Sequence, residues 1–272
     1  MNDLTGYRQA VPIFQNRLRE ASWVTPATRR LPGVQPLDWN DWLRVDDAYA
    51  GQMAERERLL NGWRGVVVAE GGPVEELLAL VLQWLPFPRE GSLALCPDGR
   101  CVDIGRGDPW GVLGRLVQCD FCLLEKRHGE HVLTGAVLCF PASWSLAEKM
   151  GRPLTAIHEP VASYDGGLAK RVQRLFDAMQ PVRPLWRVNA LLYDDPQLFQ
   201  PCRLPPVRGG RLALEAPFVR AERQALVKLP RSGAVVFSIH TSVVRRARLT
   251  RHQLQALKAY PIRETAAKAR RE

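Results

Sequence analysis

At 272 residues, with 46% hydrophobic and 24% charged side chains, the chain can bury a sizeable core, and no apolar run approaches the roughly 20 residues that span a bilayer. A net charge of +10 admits nucleic acid, an anionic membrane or an acidic protein as counterpart. No helix-turn-helix, zinc-finger or RNA-binding signature accompanies that charge, so the expectation is no nucleic acid and no membrane partner. The N-terminus lacks a basic region followed by an apolar core, and a cytoplasmic location is expected.

Taken in order, residues 1–30 read as an N-terminal arm of weak periodicity. A helix is expected over 49–61, with Met53, Leu59 and Leu60 on its apolar side and its Glu/Arg alternation facing away. A short strand follows at 66–69, then an amphipathic helix at 74–85 between Gly72-Pro73 and Pro86. Residues 93–96 and 100–102 can pair across Pro97-Asp98-Gly99, and 109–113 begins a short helix or turn. Two strand-length apolar runs, 116–124 and 132–140, read as a β-hairpin with a charged turn at 125–131 and Gly129 at its tip. A short amphipathic helix is expected at 143–150.

The second half continues with Ile157-His158-Glu159-Pro160-Val161, a histidine beside a proline-stiffened turn. Helix 167–180 carries Leu168, Val172, Leu175, Phe176 and Met179 at helical spacing. Strand 186–192 leads through Asp194-Asp195-Pro196 to a Pro/Gly loop at 201–210. Residues 218–229 carry Arg220, Glu222 and Gln224 with Leu226 and Leu229 behind, on a strand or a helix; a buried strand is expected at 234–244 and a basic helix at 249–260. The class is α+β with an antiparallel sheet, divided as 1–30 arm, 31–248 main domain, and 249–272 basic C-terminal helix and tail.

Six cysteines in a cytosolic chain are expected as thiols. Cys96-x4-Cys101 and Cys119-x2-Cys122 resemble a four-thiolate zinc pattern. Three residues apart on a strand, however, Cys119 and Cys122 point to opposite faces, and no zinc is expected. His158 is either a structural residue capping a turn or a ligand held in one orientation by Pro160, with Glu159 as a further acceptor. His240, in mid-strand, is the rival ligand. His128 and His131 are expected in a solvated turn. Arg220, Glu222 and Gln224 alternate, so on a strand they share one face, forming either an exposed edge or a row that binds a polar ligand. No nucleophile elbow, Walker loop, dinucleotide fingerprint or His-Glu-x-x-His motif is present.

Five segments, LVQCDFCLL (116–124), LCFPASW (138–144), EKMGRPLTAIHEPV (148–161), RPLWRVN (183–189) and ERQALVKLPRSGAVVFSIHT (222–241), resemble the haem subunit of haem-dependent oxidative N-demethylase. The resemblance implies a PAS-like fold, in which an antiparallel sheet and flanking helices enclose haem b. It implies oxidation of a small methylated amine by O2, with electrons from a separate ferredoxin and flavin reductase-type donor and release of formaldehyde. It implies His158 as the axial ligand of the haem iron, with Tyr164, Arg220, Gln224 and His240 completing the cofactor-binding set. Glu222 is the expected acceptor for the substrate's proton and Asn189 its neutral hydrogen-bond partner.

The chain departs from the family pattern at four places. Pro160-Val161-Ala162-Ser163-Tyr164 replaces Pro-Val-Pro-Gly-Tyr, and Gln118-Cys119-Asp120 replaces Gln-Glu-Asp. Ala190 and Ser242 stand where Trp and Tyr are usual, which implies a re-shaped pocket where they line it. A haem-binding PAS-like sensor without turnover is the alternative class.

Overall fold

Alternating side chains over the central apolar runs build one large antiparallel sheet. The computed structural model describes Tyr7, Gln9 and residues 11–159, 166–202 and 216–262. Its first half contains α1 (Pro26–Arg29), β1 (Gln35–Pro36), α2 (Tyr49–Gly62), α3 (Arg64–Val67), β2 (Val68–Ala69) and α4 (Val74–Gln83). Next come β3 (Arg89–Glu90), β4 (Leu93–Leu95), β5 (Cys101–Asp103) and α5 (Pro109–Leu116). The hairpin is β6 (Cys119–Arg127) and β7 (Glu130–Val137). Two helices follow, α6 (Leu154–His158) and α7 (Gly166–Ala178), then β8 (Leu185–Tyr193), β9 (Phe218–Lys228), β10 (Val235–Arg245) and α8 (Arg251–Ala259).

The seven-stranded sheet runs β1-β8-β9-β10-β6-β7-β2, and β3-β4-β5 form a small separate sheet. The expected segments 116–124, 132–140 and 234–244 thus share one antiparallel sheet, and the α+β class holds. The hairpin limits differ from expectation. Strand β6 runs through Glu125, Lys126 and Arg127, which pair with Val132, His131 and Glu130. The turn is only His128-Gly129, both at positive φ (50° and 85°), the geometry of a two-residue hairpin turn. Solvent-facing charges do not end a strand whose backbone still finds partners.

No helix forms over 143–150. Ser143 sits at positive φ (62°), outside the right-handed helical region, and the segment turns on Leu146, whose carbonyl accepts from Lys149 and Met150. His158 is the last residue of a short helix, and the turn expected beside it at Pro160, with residues 160–165 and Tyr164, lies outside the described set. His131 is buried, not solvated. Its Nδ1 lies 2.8 Å from Gln173 Oε1 and its ring meets Phe176 edge-on. Arg56 also turns inward, against the expected polar side of α2.

The sheet separates two packing layers. On its inner face, Leu124, Leu226, Val235 and Phe237 meet Leu154 of α6 and Phe176 of α7, while Ile157 packs with Cys122 and Ile239. Leu168, Val172 and Phe176 recur every four residues, which is why α7 lies along the sheet. The outer face holds Val188, Ala190, Ala221 and Val244 against Leu18, Trp23 and Leu257. Trp23 Nε1 donates to Gln253 O (2.9 Å) and Gln253 Nε2 to Leu18 O (3.0 Å), so the N-terminal segment and α8 pack on each other. Trp42 Nε1 donates to Ser238 Oγ on the same outer face (3.0 Å).

One buried ion pair fixes the end of the hairpin. Arg56 Nη1 meets Asp120 Oδ1 at 2.7 Å, with both side chains essentially unexposed. Asp120 also accepts from the backbone N–H of Cys139 (2.7 Å) and Phe140 (2.9 Å), while Arg56 donates to Gly114 O and Cys119 O. Each buried charge therefore makes three hydrogen bonds, one of them to the other.

Candidate functional site

Register decides which polar side chains meet. On β9, Arg220, Glu222 and Gln224 lie on the inner face, opposite Leu191, Asn189 and Arg187 of β8. Across the other edge they face Val243, Thr241 and Ile239 of β10. Glu222 and Gln224 are less than a tenth exposed, and Arg220 is almost wholly buried. The row is thus a buried array rather than an exposed edge.

A chain of contacts runs along it. Arg187 Nη1 donates to Gln224 Oε1 (3.1 Å), and Gln224 Nε2 donates to Glu222 Oε2 (3.1 Å). Glu222 Oε1 stands 3.4 Å from Arg220 Nε. Arg220 spends its other donors on Leu198 O (2.9 Å) and Phe140 O. Through Phe140, whose N–H is held by Asp120, the buried ion pair at Arg56 supports the placement of Glu222.

Three buried polar atoms on this face find no hydrogen-bond partner among the described residues: Arg187 Nε, Arg220 Nε and Thr241 Oγ1. Arg220 Nε is still within ion-pair distance of Glu222, so Arg187 Nε and Thr241 Oγ1 are the two without a polar partner among the described residues, and such buried orphans are rare in native proteins. Asn189 Nδ2 and Oδ1 make no hydrogen bond among the described residues either, and lie directly across from Glu222.

Helix α6 brings His158 to the same face. Its Nδ1 is 2.9 Å from Leu154 O, an acceptor only, so Nδ1 carries the proton and the lone pair sits on Nε2. Burial lowers the imidazole's pKa, the Leu154 bond opposes that, and the charges of Lys149 and Arg187 lower it further. The ring is accordingly neutral near pH 7, the form a metal ligand needs. Burial likewise lowers the Arg187 pKa, against the pull of Glu222.

The structure places His240 elsewhere. It turns to the outer face, where Nε2 meets Asp46 Oδ2 at 2.9 Å and Nδ1 lies 4.0 Å from Cys119 Sγ. Burial alone would lower its pKa, but Asp46 and Cys119 reverse that and raise it to about 9. A protonated imidazole has no lone pair to give a metal. The adjoining cavity, about 180 Å³, is well below the roughly 300–1,000 Å³ of small-molecule pockets, and a haem does not fit it. Ser242 lines this outer cavity and Ala190 packs in the outer layer, so neither missing aromatic re-shapes the inner face. Cys119 and Cys122 do face opposite ways. Cys122 is a buried thiol whose pKa burial pushes up to about 12.

Sequence reasoning passed over Arg187, Thr241 and Asp46. Arg187 was signalled only by its two-residue spacing from Asn189. Asp46 lies in a coil 194 positions from its histidine.

A large antiparallel sheet with a helix-borne histidine and a buried Arg/Gln/Glu row on one face makes this an α+β protein with a polar candidate site. The chain belongs to the family described as haem-dependent oxidative N-demethylase, alpha subunit-like, whose model matches residues 33–269. That family name is the name of a haem-dependent oxidoreductase, and membership carries this broad class to the chain.

Proposed function

We propose that this protein is the cytoplasmic haem-binding component of an oxidative N-demethylase, folded as a PAS-like domain whose inner face takes haem b. Supporting this, the five central strands stand in the order β7-β6-β10-β9-β8, with α6 and α7 inserted between β7 and β8 on the inner face. In the sequence order of those five strands this is 2-1-5-4-3, with ligand space expected between sheet and helices. The observation that carries the reading is the sharing of one face by His158, its ring oriented by Leu154 O, and the row that ends in Glu222.

His158 Nε2 is the axial ligand in this reading, and Leu154 O holds the ring in one tautomer and orientation. Arg187, cationic and with an unspent Nε–H, is suited to a propionate. When bound, haem supplies O2 activation, with electrons from a separate ferredoxin and flavin reductase-type donor, and oxidation of an N-methyl group whose carbon leaves as formaldehyde. The chain's own residues handle the amine. Glu222 accepts one hydrogen bond from Gln224 and lies near Arg220 Nε, and a carboxylate has about four acceptor positions. It therefore retains acceptor capacity for a small ammonium group, and its oxygen takes the proton that must leave before the nitrogen lone pair is available. Asn189 offers a neutral hydrogen bond from the opposite strand.

The test is anaerobic reduction of haem-loaded protein, then O2, with a panel of secondary and tertiary methylamines and a formaldehyde assay. Formaldehyde from one of them, lost in Glu222→Gln with haem retained, is the expected result. Full haem occupancy with no formaldehyde from any amine would replace the enzyme by a haem sensor.

A further inference from the structure

The outer face carries a second polar site, unconnected with the haem reading. Between the N-terminal segment and strands β9 and β10 lies the 180 Å³ cavity, lined by Arg17, Arg19, Arg44, Arg223 and His240 and by three carboxylates. Its volume is about six waters' worth at ~30 Å³ each.

The balance of donors and acceptors in it is one-sided. Every carboxylate is already engaged. Asp46 accepts from His240 (2.9 Å), from Gln118 Nε2 (2.8 Å) and from Gln15 Nε2 (3.1 Å). Glu20 is paired with Arg44, and Asp47 accepts from the N–H of Asn16 (2.8 Å). The cations are not all engaged. Arg17 and Arg19 have no carboxylate within 4 Å among the described residues. Arg223 is only 5% exposed and donates from Nη2 to Asp41 (2.9 Å), yet its buried Nε has no acceptor among the described residues. A buried guanidinium N–H without an acceptor is costly unless a ligand supplies one.

The geometry points to a binding site for a small oxyanion, a carboxylate or phosphate group, held between Arg223 inside the cavity and Arg17 and Arg19 at its mouth. Arginine's fixed fork suits an oxyanion better than halide or a neutral polar molecule. Ser242 on the cavity wall leaves the room the anion needs.

Calorimetric titration with inorganic phosphate and, separately, malonate at constant ionic strength tests this, with chloride as control. Saturable binding of at least one probe is expected, chloride giving none. Ser242→Tyr, which fills the cavity, should abolish it, and Arg223→Gln should weaken it at least about tenfold. Arg17→Gln with Arg19→Gln, both at exposed positions, weakens it without touching the core and keeps the test valid should Arg223→Gln fail to fold. Heat that never saturates, or saturable binding unchanged in Ser242→Tyr and in the double rim variant, overturns the site. Haem content and amine turnover play no part in the readout, so this inference and the proposed function fail or stand separately.

Discussion

Arg223 and His240 are direct partners across β9 and β10 and turn to the outer face, while the adjacent pair, Glu222 and Thr241, turns to the inner face. One residue of offset thus separates a basic cavity from the row near His158. Two histidines of similar sequence appearance, His158 and His240, fall into different chemistry for this reason.

The Asp46–His240 pair makes stability depend on pH. Buried in the fold, His240 has its pKa raised from 6.5 to about 9, so the folded chain holds a proton the unfolded chain releases across that window. The stabilisation is complete below pH 6.5 and is lost as pH rises through 9. Asp46, whose pKa is lowered against its burial by His240 and Gln118, adds stability that is lost as pH falls below the ordinary carboxylate range. Cys119 and Arg223 flank the imidazole and are unchanged between the parent and the His240→Gln variant. Urea unfolding from pH 6.5 to 9 should lose up to about 1.4 kcal/mol per pH unit in the parent, and His240→Gln should flatten that slope. An equally steep slope in the variant would contradict the assignment.

Asp120→Asn should destabilise by about 3–5 kcal/mol, because Arg56 then stays buried without its counter-charge. The exposed Lys126–Asp177 pair, 2.6 Å apart, is the contrast: Asp177→Asn should cost no more than about 1 kcal/mol. Urea midpoints measure both, and similar losses would show that burial does not set the cost.

Gly135 is packed where β7 passes Gly71 and Trp110. A Cβ there would meet the Gly71 carbonyl oxygen and stand 2.7 Å from Trp110 Cζ2. Gly135→Ala should cost about 1–3 kcal/mol or more, whereas Gly62→Ala, with nothing within 4 Å, should be neutral or stabilise α2. Thermal unfolding of the two variants distinguishes them; equal melting temperatures would refute the close approach.

Much of this arrangement was legible from spacing. The alternation of Arg220, Glu222 and Gln224 put them on one face provided that the segment is a strand, as Phe218–Lys228 is, and Gly129 marked the hairpin turn. Leu168, Val172 and Phe176 gave the buried side of α7. What spacing could not supply was register. Asn189 meets Glu222, and Arg187 meets Gln224, only because β8 and β9 pair in one alignment out of several. The apolar residues of 143–150 suggested a helix, but Leu146 and Met150 reach the inner layer from a turn. The segment 11–24 has no period, yet Leu18 and Trp23 enter a core layer whose other half, α8, lies more than 220 residues away in sequence.

The most direct test of the central claim, that haem binds on the inner face through His158, is the Soret absorbance of haem-loaded His158→Ala and His240→Ala measured side by side. The account predicts loss or a large shift of the Soret band in His158→Ala and a parent-like band in His240→Ala. A parent-like spectrum in His158→Ala, with the band abolished in a folded His240→Ala, would place the haem on the opposite face and contradict it.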